Sequence, residues 1–234
     1  FEWFKTWGGA LEDELTDIAI GPEWNLHIVG HQKGNGLPDP NKQNDAEETI
    51  SPYKKNFGAY LLKLDPDGNT VFSEPWGIKR HKSFGHSKAY GVAVKDDGTV
   101  ITIGTFTKKV PVHEDGEGVT YTETVGSKEV ALIRAVTAEG EYDWHREAEK
   151  SDYKTIPMAE IALESNGDIY IGGYLDGNVS KSPSMFGVPL TAPSGASSTK
   201  GKSAFLLKLE AKRNGGDSEW AYLWPRSDGK KAFS

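Results

Sequence analysis

One pattern of apolar residues and glycines occurs three times in the chain and constrains its fold more than any other feature. Its copies are DIAIGPEWNLHIVG (Asp17 to Gly30), GVAVKDDGTVITIG (Gly91 to Gly104) and EIALESNGDIYIGG (Glu160 to Gly173), which align without gaps. A second pattern follows each copy: AYLLKLDPDGN (Ala59 to Asn69), VALIRAVTAEGE (Val130 to Glu141) and AFLLKLEAKRNGG (Ala204 to Gly216). A repeat of about 70 residues is typical of radial or stacked architectures. The chain is therefore expected to contain three copies of one unit.

The alternation of apolar and polar residues in each unit predicts four strands joined by tight turns or loops. Asp-Gly in KDDGT and Asn-Gly in ESNGD favour hairpin turns, because these residues accept positive φ. In the first unit Trp24 stands where the others have Gly98 and Gly167, which predicts a turn of different construction. The segment DPDGN (Asp65 to Asn69) is interpreted as a hairpin turn, since the bidentate Glu and the flanking helices of an EF-hand are missing.

The fourth strand of each unit is rich in aromatic residues. Its versions are FEWFKTW (Phe1 to Trp7), TVFSEPWG (Thr70 to Gly77), GEYDWHREA (Gly140 to Ala148) and SEWAYLWP (Ser218 to Pro225). Two aromatic positions recur when these versions are aligned. The first is held by Trp3, Phe72, Trp144 and Trp220. The second is held by Trp7, Trp76 and Trp224, with Ala148 as the exception. Large aromatic residues recurring at one repeat position favour packing between sheets over a ligand platform.

Three polar inserts interrupt the units at the same place, between the second and third strands. They are His31 to Asn56, Thr105 to Lys128 and Tyr174 to Lys202. Insertions at one repeat position project from one face, which is frequently the binding face. The residues on this face that we expect to contact a ligand are His31, Tyr53, His86, Phe106, His113, Tyr121, Tyr174 and Asp176.

The pieces WGGALEDELTDIAIGPEWNLHIVG and AYLLKLDPDGNTVFSEPWG resemble the seven-bladed β-propeller repeat family. The second unit departs from that pattern, because Arg134 replaces the Lys of Lys63 and Lys208. The resemblance implies an all-β β-propeller of four-stranded antiparallel blades, with the DIAIG-type strand innermost and the aromatic strand outermost. It also implies a secreted or cell-surface protein.

The predicted organisation is a single β-propeller domain or segment over residues 1–234. It divides into an outer strand at 1–9, blades at 10–77, 78–148 and 149–225, and a tail at 226–234. Three blades are fewer than the four or more of a closed propeller. We therefore expect further blades from additional sequence or from a second subunit to complete a larger or oligomeric ring.

Composition excludes several classes of function. The formal net charge of -7 argues against a nucleic-acid or anionic-membrane surface, and no apolar run reaches the length of a membrane span. Cysteine is absent, so disulfides, thiolate metal sites and cysteine nucleophiles are excluded. No cofactor or metal motif is recognised among the six His residues, and Asn178 begins one candidate glycosylation triplet.

The sequence contains no catalytic motif, and we expect a non-enzymatic module that recognises a protein or glycan through its insert face. One alternative is a propeller enzyme, a hydrolase or lyase, with its site at the central axis. Its candidate residues are Asp17 and Glu160, at the entrances of the innermost strands. Another alternative is a structural subunit of an extracellular assembly.

Overall fold

The chain forms an all-β structure. A computed structural model describes residues 3–8, 11–33, 57–76, 85–107, 109–115, 118–123, 129–148, 158–178, 184–190, 200–210 and 218–224. Apart from a 3-10 turn at Pro22–Trp24, the regular elements of these residues are strands. None of the described residues belongs to a helix long and apolar enough to cross a membrane.

Three four-stranded antiparallel sheets contain most of the strands, which are numbered in chain order. The first sheet consists of β1 (Asp13–Ile20), β2 (Leu26–Gln32), β3 (Gly58–Leu64) and β4 (Thr70–Trp76). The second consists of β5 (Ser87–Val94), β6 (Val100–Thr107), β9 (Glu129–Val136) and β10 (Tyr142–Glu147), with the hairpin β7 (Lys109–Asp115) and β8 (Gly118–Glu123) between β6 and β9. The third consists of β11 (Met158–Leu163), β12 (Ile169–Asn178), β15 (Lys200–Leu209) and β16 (Ser218–Trp224), with the hairpin β13 (Ser184–Met185) and β14 (Val188–Pro189) between β12 and β15.

The sheets confirm the predicted unit of four antiparallel strands in three copies. Each places its strands side by side in chain order, and each interrupts its first strand with a bulge at the same repeat position. The residue left out of the pairing is Thr16 in β1, Tyr90 in β5 and Ala159 in β11. A bulge bends its strand and redirects a side chain, so its conservation among the copies shows that they share backbone geometry as well as sequence.

The two ends of each sheet differ. One end, called here the turn edge, carries the short connections, such as the Asp65–Asn69 turn in which Asp65 Oδ1 accepts from the Asn69 backbone N–H at 2.7 Å. Gly68 has a φ of 81° there, which confirms the predicted hairpin turn. In the first unit Glu23 and Trp24 adopt φ of 58° and 60°, so that turn is built differently, as predicted. The opposite end, the insert edge, is where β2, β6 and β12 lead into the three inserts.

Neighbouring sheets come closest through their first strands. Among the four-stranded sheets, β5 lies beside β1, β2 and β3, and β11 lies beside β5 and β6. Buried apolar residues from all three sheets form one main core, and a smaller cluster of Ile28, Tyr60, Leu62 and Leu64 lies on the other side of the first sheet. The first strands are therefore neighbours, and the fourth strands lie farther apart.

The aromatic position with an exception is buried in the first two sheets. Trp76 lies against Gly104 of the second sheet, where an added Cβ would come within 2.6 Å of the indole. In the second sheet the small Ala148 takes the place of Trp76 and is buried in the main core. The space between packed sheets is limited, so a close neighbour such as Gly104 has to be small.

Residues 3–8 correct the prediction of an outer strand at the N-terminus. They form no strand in the structure, and side chains hold them on the first sheet instead. Trp3 Nε1 donates to the Pro66 carbonyl oxygen at 2.8 Å, and Trp7 Nε1 donates to the Tyr60 hydroxyl at 3.2 Å. A strand requires a neighbouring backbone, and among the described residues none pairs with this segment.

The predicted bounds of the inserts are also wrong. His31, Phe106 and Tyr174 lie in β2, β6 and β12, because the second strands continue pairing with the third strands beyond the repeated glycine. The third insert also contributes to the core: the side chains of Met185, Phe186, Val188 and Leu190 are buried in the main cluster. That insert is therefore partly a structural element.

Candidate functional site

Tyr90, the bulge residue of β5, lies near repeat-equivalent residues of all three sheets at the insert edge. The residue after the repeated glycine of the second strand is His31 in the first sheet, Thr105 in the second and Tyr174 in the third. Thr105 is hydrogen-bonded to the half-buried Tyr90, and the His31 ring centroid lies 6.4 Å from that of Tyr90. Tyr174 is near enough to influence the Tyr90 hydroxyl electrostatically.

His31 is held firmly in this cluster and is only 2% exposed. Its Nε2 lies 3.1 Å from Glu14 Oε2, and its ring meets the Phe57 ring edge to face with centroids 5.0 Å apart. Burial lowers the pKa of His31, and the Lys88 cation lowers it further, against the opposing effects of Glu14 and the Ala89 backbone. His31 is therefore mainly neutral at pH 7 and orients its neighbours.

Phe57 is a cation-binding platform next to His31. The Nζ atoms of Lys33 and Lys88 lie 4.2 Å and 4.4 Å from its ring centroid, within the range of cation–π interactions. The Phe57 backbone N–H donates to His86 Nδ1 at 3.0 Å, so this nitrogen is unprotonated. Lys33 is also ion-paired with Glu12 at the surface.

The groups around Tyr90 carry charges of both signs and are partly removed from water. Burial raises the pKa of the Tyr90 hydroxyl. The hydrogen bond to Thr105 opposes this effect, and the nearby Glu129, Tyr174 and Glu14 add to it. Burial also raises the pKa of Glu129, although Lys88 opposes this. The Tyr90 hydroxyl is thus a neutral hydrogen-bonding group at physiological pH, and it suits recognition of a polar ligand.

Three of the predicted contact residues come together in this site. His31 and His86 both contact Phe57, and Tyr174 on the third sheet influences the Tyr90 hydroxyl electrostatically. Phe106 is a correction: only 1% exposed, it belongs to the main core and offers no surface to a ligand.

The other predicted residues lie partly or wholly outside the described structure. The backbones of His113 and Tyr121 belong to β7 and β8, and those of Asp176 and Asn178 pair with Lys202 and Lys200. Nothing is described of these four side chains, and Tyr53 lies outside the described residues.

Asp17 and Glu160, the central-axis candidates, differ in their surroundings. Asp17 Oδ2 accepts from the Val92 backbone N–H at 2.9 Å, and Oδ1 accepts from the Ile18 backbone N–H at 2.8 Å. Asp17 therefore fastens β1 to β5 and is occupied by that structural role. Glu160 is exposed on β11.

Sequence reasoning missed Tyr90, Phe57, Lys33 and Lys88. Tyr90 has a weak sequence signal, because Thr16, Tyr90 and Ala159 directly precede the three repeated cores and mark the bulge. Phe57 and the two lysines have none, since their meeting depends on how the first and second sheets pack.

Among the described residues no group of three or more His, Asp or Glu is placed to hold a metal ion. Compared with models of known protein families, the chain matches none, and a search of curated proteins gives no match.

Proposed function

We propose that the chain is a non-enzymatic recognition module of the β-propeller type, which binds a protein or glycan at the insert edge around Tyr90. The observation that carries this proposal is that Tyr90 contacts His31 and Thr105 and lies near enough to Tyr174 for an electrostatic interaction. These residues are repeat-equivalent, yet they differ in chemistry. A purely structural position would favour similar residues in each copy, whereas a shared contact surface benefits from different ones.

The propeller part of the proposal is supported by the arrangement of the sheets. First strands that adjoin one another, with fourth strands farther apart, are expected when blades fan around an axis. The second strands then lead into the inserts at the same end of neighbouring blades, which is the end where Tyr90 lies. The secreted or cell-surface location implied by the family resemblance belongs to this proposal as well.

The chemistry of the cluster favours a polar partner that presents hydroxyl, amide or carboxylate groups. Tyr90 and Tyr174 offer half-buried phenols, and Lys88 offers an ammonium group fixed on Phe57. Aromatic residues and a few fixed polar groups are common in recognition sites, because they lose little conformational entropy when they bind.

Binding assays on matched variants test the proposal. Tyr174→Ala and Lys88→Ala change the insert edge, and Asp96→Ala and Glu139→Ala are controls at exposed positions of the turn edge. Glycan-array binding and quantitative pull-down are measured for all four and for the unchanged protein. We expect the insert-edge variants to lose binding at least roughly tenfold, equivalent to about 1.4 kcal/mol, while the controls keep it.

Thermal unfolding of the same variants separates loss of a contact from loss of the fold. Equal unfolding temperatures with reduced binding support the site. Unchanged binding by Tyr174→Ala and Lys88→Ala, or equal losses in the turn-edge controls, would contradict it.

A further inference from the structure

The outward face of the third sheet exposes a ladder of aromatic residues along β16. Trp220 and Tyr222 have ring centroids 5.2 Å apart, and Tyr222 and Trp224 have centroids 6.2 Å apart. Tyr222 is 52% exposed and Trp224 is 48% exposed. Such a contiguous aromatic strip on a protein surface marks an interaction site.

The repeat identifies what this strip is shaped to contact. Trp224 corresponds to Trp76 of the first sheet, which is only 1% exposed because the second sheet covers it. Trp220 corresponds to Phe72, which packs on the turn glycine Gly140 of the second sheet. The Trp224 position is thus buried wherever another sheet follows, and the Trp220 position packs on the following sheet in the first unit, so the aromatic strip is the docking face for a following sheet.

The opposite end of the array exposes the complementary surface. Ile18 and Ile20 on β1 are 51% and 61% exposed. The corresponding Val92 of the second sheet is 4% exposed, and its neighbour Val94 packs against the main core. In the third sheet the corresponding Ile161 and Leu163 also pack against that core. The exposed face of the first sheet is therefore equivalent to the face that a preceding sheet covers in the second and third sheets.

The N-terminal segment already occupies the outer half of that surface. Trp3 packs on the turn glycine Gly68 as Phe72 packs on Gly140. Lys5 Nζ donates to the Gly68 carbonyl oxygen at 2.7 Å and to Thr70 Oγ1 at 2.8 Å. Residues 3–8 thus imitate the fourth strand of a preceding sheet.

The segment and β16 share a sequence pattern. Both read Glu-Trp-x-x-x-Trp, with Trp3 and Trp7 in the segment and Trp220 and Trp224 in the strand. We propose that the third sheet of one copy docks on the first sheet of a second copy of this chain, with β16 replacing residues 3–8.

The first sheet of a second copy has the features that the aromatic strip requires. Gly68 corresponds to Gly140, Gly30 corresponds to Gly104, and Ile18 and Ile20 supply the apolar pair on the first strand. Trp224 takes the place of Trp7 and donates to the Tyr60 hydroxyl in its stead. The contact continues the two interfaces between sheets of one chain, and it is heterologous because different faces meet.

Two single-face variants test this docking. Trp224→Glu disables the aromatic strip, and Ile18→Asp with Ile20→Asp disables the first-sheet face; all three positions are exposed, so the fold is retained. Sedimentation equilibrium from micromolar to near-millimolar concentration gives the masses, with circular dichroism as the folding control. We expect the unchanged chain to exceed its monomer mass of 25.6 kDa and each variant to remain monomeric.

Mixing the two variants identifies the faces. Each variant retains the face that the other lacks, so the mixture is expected to form a one-to-one complex through a single interface. A Trp224→Glu variant that self-associates as the unchanged chain does would overturn the proposal. An unchanged chain that stays monomeric, including one whose aromatic strip binds glycans instead, would overturn it as well.

Loosening the N-terminal segment gives an independent test. Trp3→Ala with Trp7→Ala removes both indole hydrogen bonds of the segment but leaves the aromatic strip intact. We expect this variant to associate roughly tenfold more tightly, because β16 no longer competes with the segment. Weaker or unchanged association in a folded variant would show that the segment does not occupy the docking surface.

Discussion

Arg134 on β9 of the second sheet forms a two-point ion pair with Glu74 on β4 of the first sheet. Arg134 Nη1 lies 3.1 Å from Glu74 Oε2, and Nη2 contacts Oε1. In this geometry two N–H groups of the planar guanidinium each face one carboxylate oxygen, which makes the ion pair strong and directional. Arg134 therefore joins neighbouring sheets. It does not replace the Lys of the other two units, as the sequence had suggested, because Ala135 takes that place: it pairs with Ile101 as Lys63 pairs with His27.

Removing Glu74 is expected to cost more stability than removing Arg134. The Arg134 side chain is 1% exposed and that of Glu74 is 26% exposed, so Glu74→Ala removes an anionic partner from a buried cation, whereas Arg134→Met leaves a carboxylate that water reaches. We expect Glu74→Ala to lower the free energy of unfolding by about 3 kcal/mol and Arg134→Met to lower it by less. Urea unfolding measures both, with Glu139→Ala as the exposed control.

Close packing at Gly104 makes this position intolerant of a side chain. A Cβ would lie 2.1 Å from the Lys88 carbonyl oxygen and 2.6 Å from Trp76, whereas a Cβ at Gly172 would have no atom within 4 Å. We expect Gly104→Ala to destabilise the protein by about 3 kcal/mol and Gly172→Ala to be neutral or stabilising. Similar unfolding temperatures for the two variants would argue against the close packing of Lys88 and Trp76 around Gly104.

Ala148 is buried in the main core at the position that Trp76 occupies in the first sheet. Ala148→Trp overfills this position and is expected to lower the free energy of unfolding by about 1–3 kcal/mol, measured by urea unfolding. An unchanged free energy of unfolding would mean that the space beside Ala148 accepts an indole.

His27 makes stability depend on pH. Burial and the Lys63 cation together lower the pKa of His27 to about 4, against the opposing effect of the Asn25 backbone. Below about pH 6.5 the unfolded chain binds a proton at this residue that the folded chain does not bind until about pH 4, so stability falls as pH falls through this range.

A His27→Leu variant isolates this effect, because both proteins share every other titrating group. Relative to the unchanged protein, the variant is expected to gain about 2–3 kcal/mol as the pH falls from 7.5 to about 4. Urea unfolding at intervals of pH measures the difference. A difference that is constant over this range would contradict the lowered pKa.

The repeat made the strands, their order and their turns predictable, because each depends on residues close together in the chain. The bounds of the inserts were not predictable, since His31 and Tyr174 remain in strands only because the third strands pair with them. The strand expected at residues 1–9 is not formed by residues 3–8 for a related reason. A strand needs a second backbone to pair with, and the sequence of the segment does not show whether one is present.

The candidate site was predictable only in part. Its position at the insert edge followed from the repeat, and His31, His86 and Tyr174 were identified from their place in it. Tyr90 was not identified from the sequence, because its position depends on the bulge in β5. Phe106 was assigned to the surface, whereas it lies in strand β6 and is buried in the core.

The central claim, that the sheets fan outward from adjoining first strands, can be tested by spin labelling, because the chain has no cysteine. One pair of labels is placed on the first turns of the first and second sheets, at Glu23→Cys and Asp96→Cys. The other is placed on their last turns, at Asp67→Cys and Glu139→Cys; all four positions are exposed. Double electron–electron resonance is expected to give a shorter distance for the Glu23/Asp96 pair than for the Asp67/Glu139 pair. Equal distances would mean that the sheets stack in parallel, and the fan would be wrong.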